Sequence, residues 1–484
     1  MTTGIRGQYP LLWRLVLTGY RRLRMHRLTT LFFSLVALPV TLLGLVACGT
    51  DEGFVEPIAV PSGFVRVVNA IPESPLLAVL IENRTQETLN FSEGTAFFGV
   101  LPTLPREFSV IYATDAENQT LLTRQFEVGI SEQRSLILAG TLAAPSLIDI
   151  STIPLTTDTN TFTEVTIVHA ANSYPAEVGF MLVQNGDFNA PTTALLGQFS
   201  SSLTLTPTSG TNYELFAVTT LPASGTAPAN ADILWRSGIF DLPNTTQPLL
   251  ALIDYFGPGG QTVKVTSISP TGTQAFALED IPAAIRVVNA LPDQGPIDVY
   301  LNDSLFLANP QVGVLNDYKL TNFRGAAVFK ITPAGDPTTV LLEIAPTVTQ
   351  GIFHALIISG LASDASYAMA LTTEDNRTIP SRMVITGTQA SPSAPGFLDY
   401  YFLASGETLE SSNPRSVNNS LLIATSFVVL PGAYDLVITE TGVKTALFGP
   451  LPVNVANDAI YRFFVTDAPG GGTPLQVILA DDFL

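Results

Sequence analysis

The chain has 484 residues, room for several domains of ordinary size. It is 46% hydrophobic and only 13% charged, with 36 glycines and 35 prolines, so large cores can be buried and turns recur throughout, as β-structure requires. A net charge of −19 with four lysines argues against nucleic acid as a partner and against polybasic adhesion to a membrane, and fits the solubility of an exported protein.

In chain order, the first element is a leader. Arg21, Arg22, Arg24 and Arg27 flank an uncharged Leu-rich run from Leu28 to Ala47. A basic flank, an apolar run and small residues at a cut make a secretory signal. The run is also long enough for a spanning helix. Pro39 and Gly44 interrupt it and Ala47-Cys48 closes it, which favours cleavage. Leu45-Val46-Ala47-Cys48 resembles the lipobox of bacterial lipoproteins. That resemblance implies cleavage after residue 47, a diacylglycerol thioether and an N-acyl chain on Cys48, and attachment to the membrane through that lipid. Each buried methylene contributes about 0.8 kcal/mol, so several chains anchor stably. Gly49, where an Asp would favour inner-membrane retention, implies the outer membrane by the same resemblance. Met25-His26-Arg27-Leu28 begins a compact signal by itself, so Met25 is the expected start. A twin-arginine route through Arg21-Arg22 is the alternative, and Leu23-Arg24 fits it poorly. Arg6, Arg14, Arg21, Arg22, Arg24 and Arg27 leave with residues 1–47 and no acid does, so −19 becomes about −25. With its only cysteine lipidated, the mature chain has no thiol for a disulfide, a zinc site or catalysis.

Beyond a tether at 48–63 the chain repeats itself. Phe64-Val65-Arg66-Val67-Val68-Asn69-Ala70-Ile71-Pro72-Glu73 returns as Ile285-Arg286-Val287-Val288-Asn289-Ala290-Leu291-Pro292-Asp293, and more weakly as Val165 to Ser173. A fourth, degenerate copy is read at Tyr400 to Glu407, which aligns Ala404 with Ala70, Ala170 and Ala290. Next comes Leu76 to Ile81, paralleled by Ile297-Asp298-Val299-Tyr300-Leu301, whose alternation is that of a half-buried strand. Alternation predicts Val287 and Val299 pointing inward and Arg286 outward, where truncation to Ala would cost little. A mid-module strand (Pro431 to Ile438 in the fourth copy) and a late apolar strand (Ser135 to Gly140, Leu249 to Ile253, His354 to Gly360, Tyr461 to Val465) complete each unit.

Arg286 to Asp293 followed by Ile297 to Leu301 resembles the DUF4397 family, bacterial surface and secreted domains of uncharacterised function. The resemblance is close for the third copy and fainter for the others. It implies an immunoglobulin-like β-sandwich, which about seven short strands in roughly 100 residues would fill. The expected fold is therefore all-β: four tandem immunoglobulin-like β-sandwich modules after an N-terminal lipoprotein signal peptide. Their expected bounds are 64–153, 164–268, 284–386 and 397–484. Pro154 to Thr163, Ser269 to Gln274 and Thr386 to Gly396 read as short Pro-bearing linkers, so a semi-rigid rod of separable modules is expected.

Few residues invite chemistry. Asn69, His169 and Asn289 share one position, best read as a strand end capping the following turn. Asp298 beside Tyr300 reads as solvated decoration. His354 sits in an apolar run, and buried imidazoles are ordinarily satisfied by backbone. Two histidines in different modules leave no route to a triad or a shared metal site. Gly257 to Gly260 and Gly470 to Gly472 read as hairpin turns. Glu374-Asp375-Asn376, Asp115 to Asn118 and Asp481-Asp482 could offer oxygens to calcium but lack a known loop spacing. Trp235 is the only tryptophan of the mature chain, too few for a sugar platform, and Asn83-Arg84-Thr85 is a chance glycosylation triplet. No catalytic, metal or cofactor residue is assigned. The expected function is a non-enzymatic scaffold or adhesion stalk on the outer membrane, with Cys48 as lipidation site and an unidentified protein or glycan partner. The alternatives are a polysaccharide- or peptide-binding component and, more distantly, a hydrolase.

Overall fold

The computed structural model describes residues 62–113, 118–154, 163–205, 210–242, 247–274, 281–323, 325–379, 383–456 and 459–481. The signal peptide, Met25 and Cys48 lie outside them, as do most of the tether and Asp115 to Glu117. Among the described residues there are strands and two short 3₁₀ turns, and no α-helix.

The first module sets the pattern. Its strands are β1 (Gly63–Asn69), β2 (Leu77–Ile81), β3 (Arg84–Leu89), β4 (Phe98–Val100), β5 (Arg106–Ala113), β6 (Asn118–Phe126), β7 (Gln133–Gly140) and β8 (Pro145–Thr152). One sheet has the order β4-β1-β7-β8, the other β3-β2-β5-β6. β1 and β7 run parallel, Val67 beside Leu136. The same two four-strand orders recur, with additions, in three more sandwiches down the chain. Each encloses its own apolar core. The sandwich expectation holds. The strand order is not the seven-strand immunoglobulin one, because eight strands are used and a parallel pair sits at the centre of one sheet.

That parallel pair explains the continuous apolar runs. A strand covered on both faces has no polar side to alternate with. Val65 and Val67 enter the first core, while Val68 and Ala70 enter a second one shared with the next module. That shared core holds Ile137 and Ala139 of the first module against Val168, Ala170, Leu249, Ala251 and Ile253 of the second. The third and fourth modules join the same way, Val288, Ala290, Ala355 and Ile357 meeting Ala390, Phe464 and Ile478. The sandwiches are thus stacked in pairs, sheet face on sheet face. All described strands belong to one compact unit from Pro61 to Leu484. The rod of separable modules is corrected accordingly, since its construction would expose two apolar sheet faces per pair.

Two boundaries also move. Met383–Gln389 is the leading strand of the fourth module: it pairs antiparallel with Ala424–Val429 and parallel with Ile460–Thr466. Ala390, not Ala404, is the equivalent of Ala70. Leu398–Ala404 is the second strand, pairing with Gly432–Glu440. The repeat is disguised because Gly387 stands where Val287 stands in the third module. A Cβ at Gly387 would meet the Phe463 and Tyr400 rings at 2.4 and 2.7 Å, so these aromatics fill the valine's place. The expected linker at Thr386 to Gly396 is therefore largely strand and turn. Likewise Gly272–Gln274 pairs back onto Gln261–Ser269 and closes the second module.

Candidate functional site

The residues singled out by position do structural work. Asn69 and Asn289 each accept a hydrogen bond from the amide two residues on, Ile71 and Leu291, and donate to Ser74 Oγ and the Pro310 carbonyl. His169 reaches the Ala176 carbonyl and Gln389 the Gly396 carbonyl from the equivalent place. All four tie the loop after the leading strand. Burial lowers the pKa of His169 and His354, with neighbouring backbone groups opposing. Trp235 is a core residue of the second module. Gly259 and Gly260 adopt positive φ in the expected tight turn.

The Pro-acid ending has a mechanical meaning. Glu73 accepts from the Leu142 amide, and Asp293 from the Ala362 and Ser363 amides, pinning the first loop to the last. In the second and fourth modules the carboxylate comes from the other side of the same gap. Asp254 accepts from Asn172 and Ser173, and Asp467 from Ser391, Ser393 and Gly472. Asp298 is no solvated decoration: it is buried and accepts from the Asn309 and Gly335 amides. Asp399 does the same job for Asn418 and Gly442.

Arg286 requires the sharpest correction. It points away from its own core, as alternation demands, but that face is covered by the fourth module, and Arg286 is 1% exposed. Its guanidinium donates to Glu374 at 2.5 Å and lies over the rings of Tyr318 and Phe464. Arg462 of the fourth module approaches the same carboxylate at 3.4 Å and donates to the Asp375 carbonyl and Asn376 Oδ1. The Tyr318 hydroxyl donates to the second oxygen of Glu374, and burial, then that carboxylate, raises its pKa. Two arginines thus share one glutamate. Glu374-Asp375-Asn376 is consequently not a calcium loop, because guanidinium groups occupy its oxygens. Arg66, the counterpart of Arg286, donates instead to Ser135 Oγ and the Ile268 carbonyl of the second module, and burial lowers its pKa to about 9.

This network backs onto a cleft where three modules meet. Phe91 comes from the first, Tyr255, Phe256 and Lys264 from the second, Asn376 and Arg377 from just past the third. A cavity of about 390 Å³ lies there, beside one of about 330 Å³ that shares most of these residues. Tyr255 donates to the Gly351 carbonyl and Arg377 to the Pro72 carbonyl, closing the junction. Arg377 also grips Asp375 at 2.7 Å and lies over Phe91. The Lys264 ammonium lies over the rings of Tyr255 and Phe91, and among the described residues no carboxylate comes within 4 Å of it. Burial, then repulsion from Arg377, lowers its pKa to about 8, with Asp375 opposing. Sequence reasoning passed over this cleft, since its parts lie far apart in the chain. The one available signal was Lys264, the lone cation of the strand Gln261–Ser269, set between Val263 and Val265.

No family model matches the chain, and no curated protein matches it. Among solved structures, the Bacillus anthracis TIE protein aligns over 84% of this chain and 69% of its own at 11% identity, with a TM-score of 0.14. A likeness that faint carries no argument.

Proposed function

We propose that this chain is a non-enzymatic cell-envelope protein, held to the outer membrane by lipid on Cys48, whose β-sandwich modules serve as a scaffold or adhesion body. The observation that carries the reading is where its buried charge goes. Arg66, Arg286, Arg462 and Glu374 join neighbouring modules, and Glu73, Asp254, Asp293 and Asp467 tie loops. Such a body holds a shape at a surface. The anchor itself rests on Leu45 to Cys48 after the uncharged run. Kinship with DUF4397 remains part of the proposal and rests on the leading strands of the first and third modules.

The test is fractionation of cells making the full chain. Wild type should pellet with outer membranes and take up a fatty-acid probe, and Cys48→Ala should do neither. A Cys48→Ala protein that still labels and still pellets would overturn the anchor. Turnover of any substrate, abolished by one carboxylate substitution, would overturn the non-enzymatic reading. A second reading, a ligand-binding envelope component, is favoured by the three-module cleft.

A further inference from the structure

We infer that the three-module cleft is a binding site for a small monocarboxylate carried on a ring, held by Lys264 and Asn376. This deepens the ligand-binding reading and does not depend on the lipid anchor.

Three observations converge. Lys264 is a largely buried ammonium with aromatic faces and no ion-paired carboxylate among the described residues. Cation–π contact offsets part of its lost hydration, yet a carboxylate offsets far more. Asn376 is 3% exposed and commits Oδ1 to Arg462, while its Nδ2 has no hydrogen-bond partner. An unsatisfied buried amide costs about 1–3 kcal/mol, so native structures seldom keep one without use. Both groups line the same cavity, whose volume suits a single ring. Two donors, one of them charged, thus belong to residues of one cavity, and the carboxylates that share its lining, Glu374 and Asp375, are ion-paired to arginines.

The surroundings narrow the ligand. Arg377 is taken up by Asp375 and the Pro72 carbonyl, and Glu374 by Arg286, Arg462 and Tyr318. One cation is left to be matched, with the Asp375 carboxylate nearby. A monoanion fits that balance, and a phosphate dianion would face Asp375 with a charge too many. Phe256, 55% exposed, lines both cavities and offers an apolar face for a ring to lie against. The carboxylate could sit on a sugar acid or an aromatic acid, which share this chemistry.

The test is calorimetric titration of the purified full-length chain with glucuronate, benzoate and, as a neutral control of the same ring, glucose. Saturable binding of glucuronate or benzoate, but not glucose, is expected, and the preferred acid identifies the source. Lys264→Met should weaken binding about tenfold or more, Lys264→Arg should keep most of it, and Asn376→Leu should weaken it about tenfold. Thermal melting separates ligand from structure. If Lys264 awaits an anion, Lys264→Met removes an unmatched buried charge and raises the melting temperature of the ligand-free protein. Equal binding of glucose, no binding of either acid, undiminished binding by Lys264→Met, or a lower melting temperature for that variant would each overturn the assignment.

Discussion

The two-arginine, one-glutamate network makes a quantitative prediction. Arg286→Ala removes one cation from a side-chain cluster in which Arg286 is 1% and Glu374 5% exposed. Losing one partner of a buried ion pair costs about 3–5 kcal/mol, mostly through the charge left behind. Glu374 would retain Arg462 at 3.4 Å and the Tyr318 hydroxyl, so the low end, about 3 kcal/mol, applies. Part of that is stacking lost from Tyr318 and Phe464. Glu374→Ala is the harsher change, because it leaves Arg286 and Arg462 facing each other without an anion; about 5 kcal/mol is expected. Urea unfolding of the full-length chain, followed by both fluorescence and circular dichroism, measures the two losses. An Arg286→Ala loss under about 1 kcal/mol, the value of an exposed pair, would refute the reasoning. So would a Glu374→Ala loss no larger than that of Arg286→Ala.

Val287, fully buried in the third core, should lose about 2 kcal/mol on truncation to Ala, read by the same unfolding curves. A fragment of residues 281–481 should fold cooperatively and stay monomeric, whereas 280–388 alone, with Val288, Ala290, Ala355 and Ile357 uncovered, should aggregate or self-associate in sedimentation runs. His169 and His354 have folded pKa values below 6.5, chiefly from burial, so they bind protons more readily once unfolded. Their contribution is complete above pH 6.5 and is lost as pH falls below it. Urea midpoints should therefore drop from pH 7.5 to pH 5.5, and His169→Gln with His354→Gln should flatten that drop.

Much of this was legible in the sequence, for identifiable reasons. The Arg-Val-Val-Asn-Ala copies located the leading strands of the first and third modules, because these keep both side-chain volume and polarity in register. The turn-capping Asn69 and Asn289 were readable because an Asx side chain reaches its own backbone and needs no distant partner. The fourth leading strand was missed because Gly387 gave its volume to Tyr400 and Phe463, an exchange visible only across strands. Arg286 was placed on the correct face and in the wrong solvent, since alternation reports which way a residue points and not what covers it. The continuous run Ala283–Ala290 did carry that information, all eight residues being buried. The cleft was invisible because Phe91, Lys264 and Asn376 meet only after the modules pack.

The paired stacking has a consequence for assembly. Each pair presents the same kind of face twice, as a homodimer of single modules would, so the chain carries four mutually similar sticky faces on one tether. Something must stop the first module from docking on the fourth. Shape alone is a weak discriminator among valine- and alanine-rich sheets. Charge is a strong one: that mispairing would bring Arg66 against Arg462 while Glu374 stayed behind on the third module. The arginines, costly in either correct pair, thus act as a password between neighbours, rejecting partners that the apolar surfaces would accept.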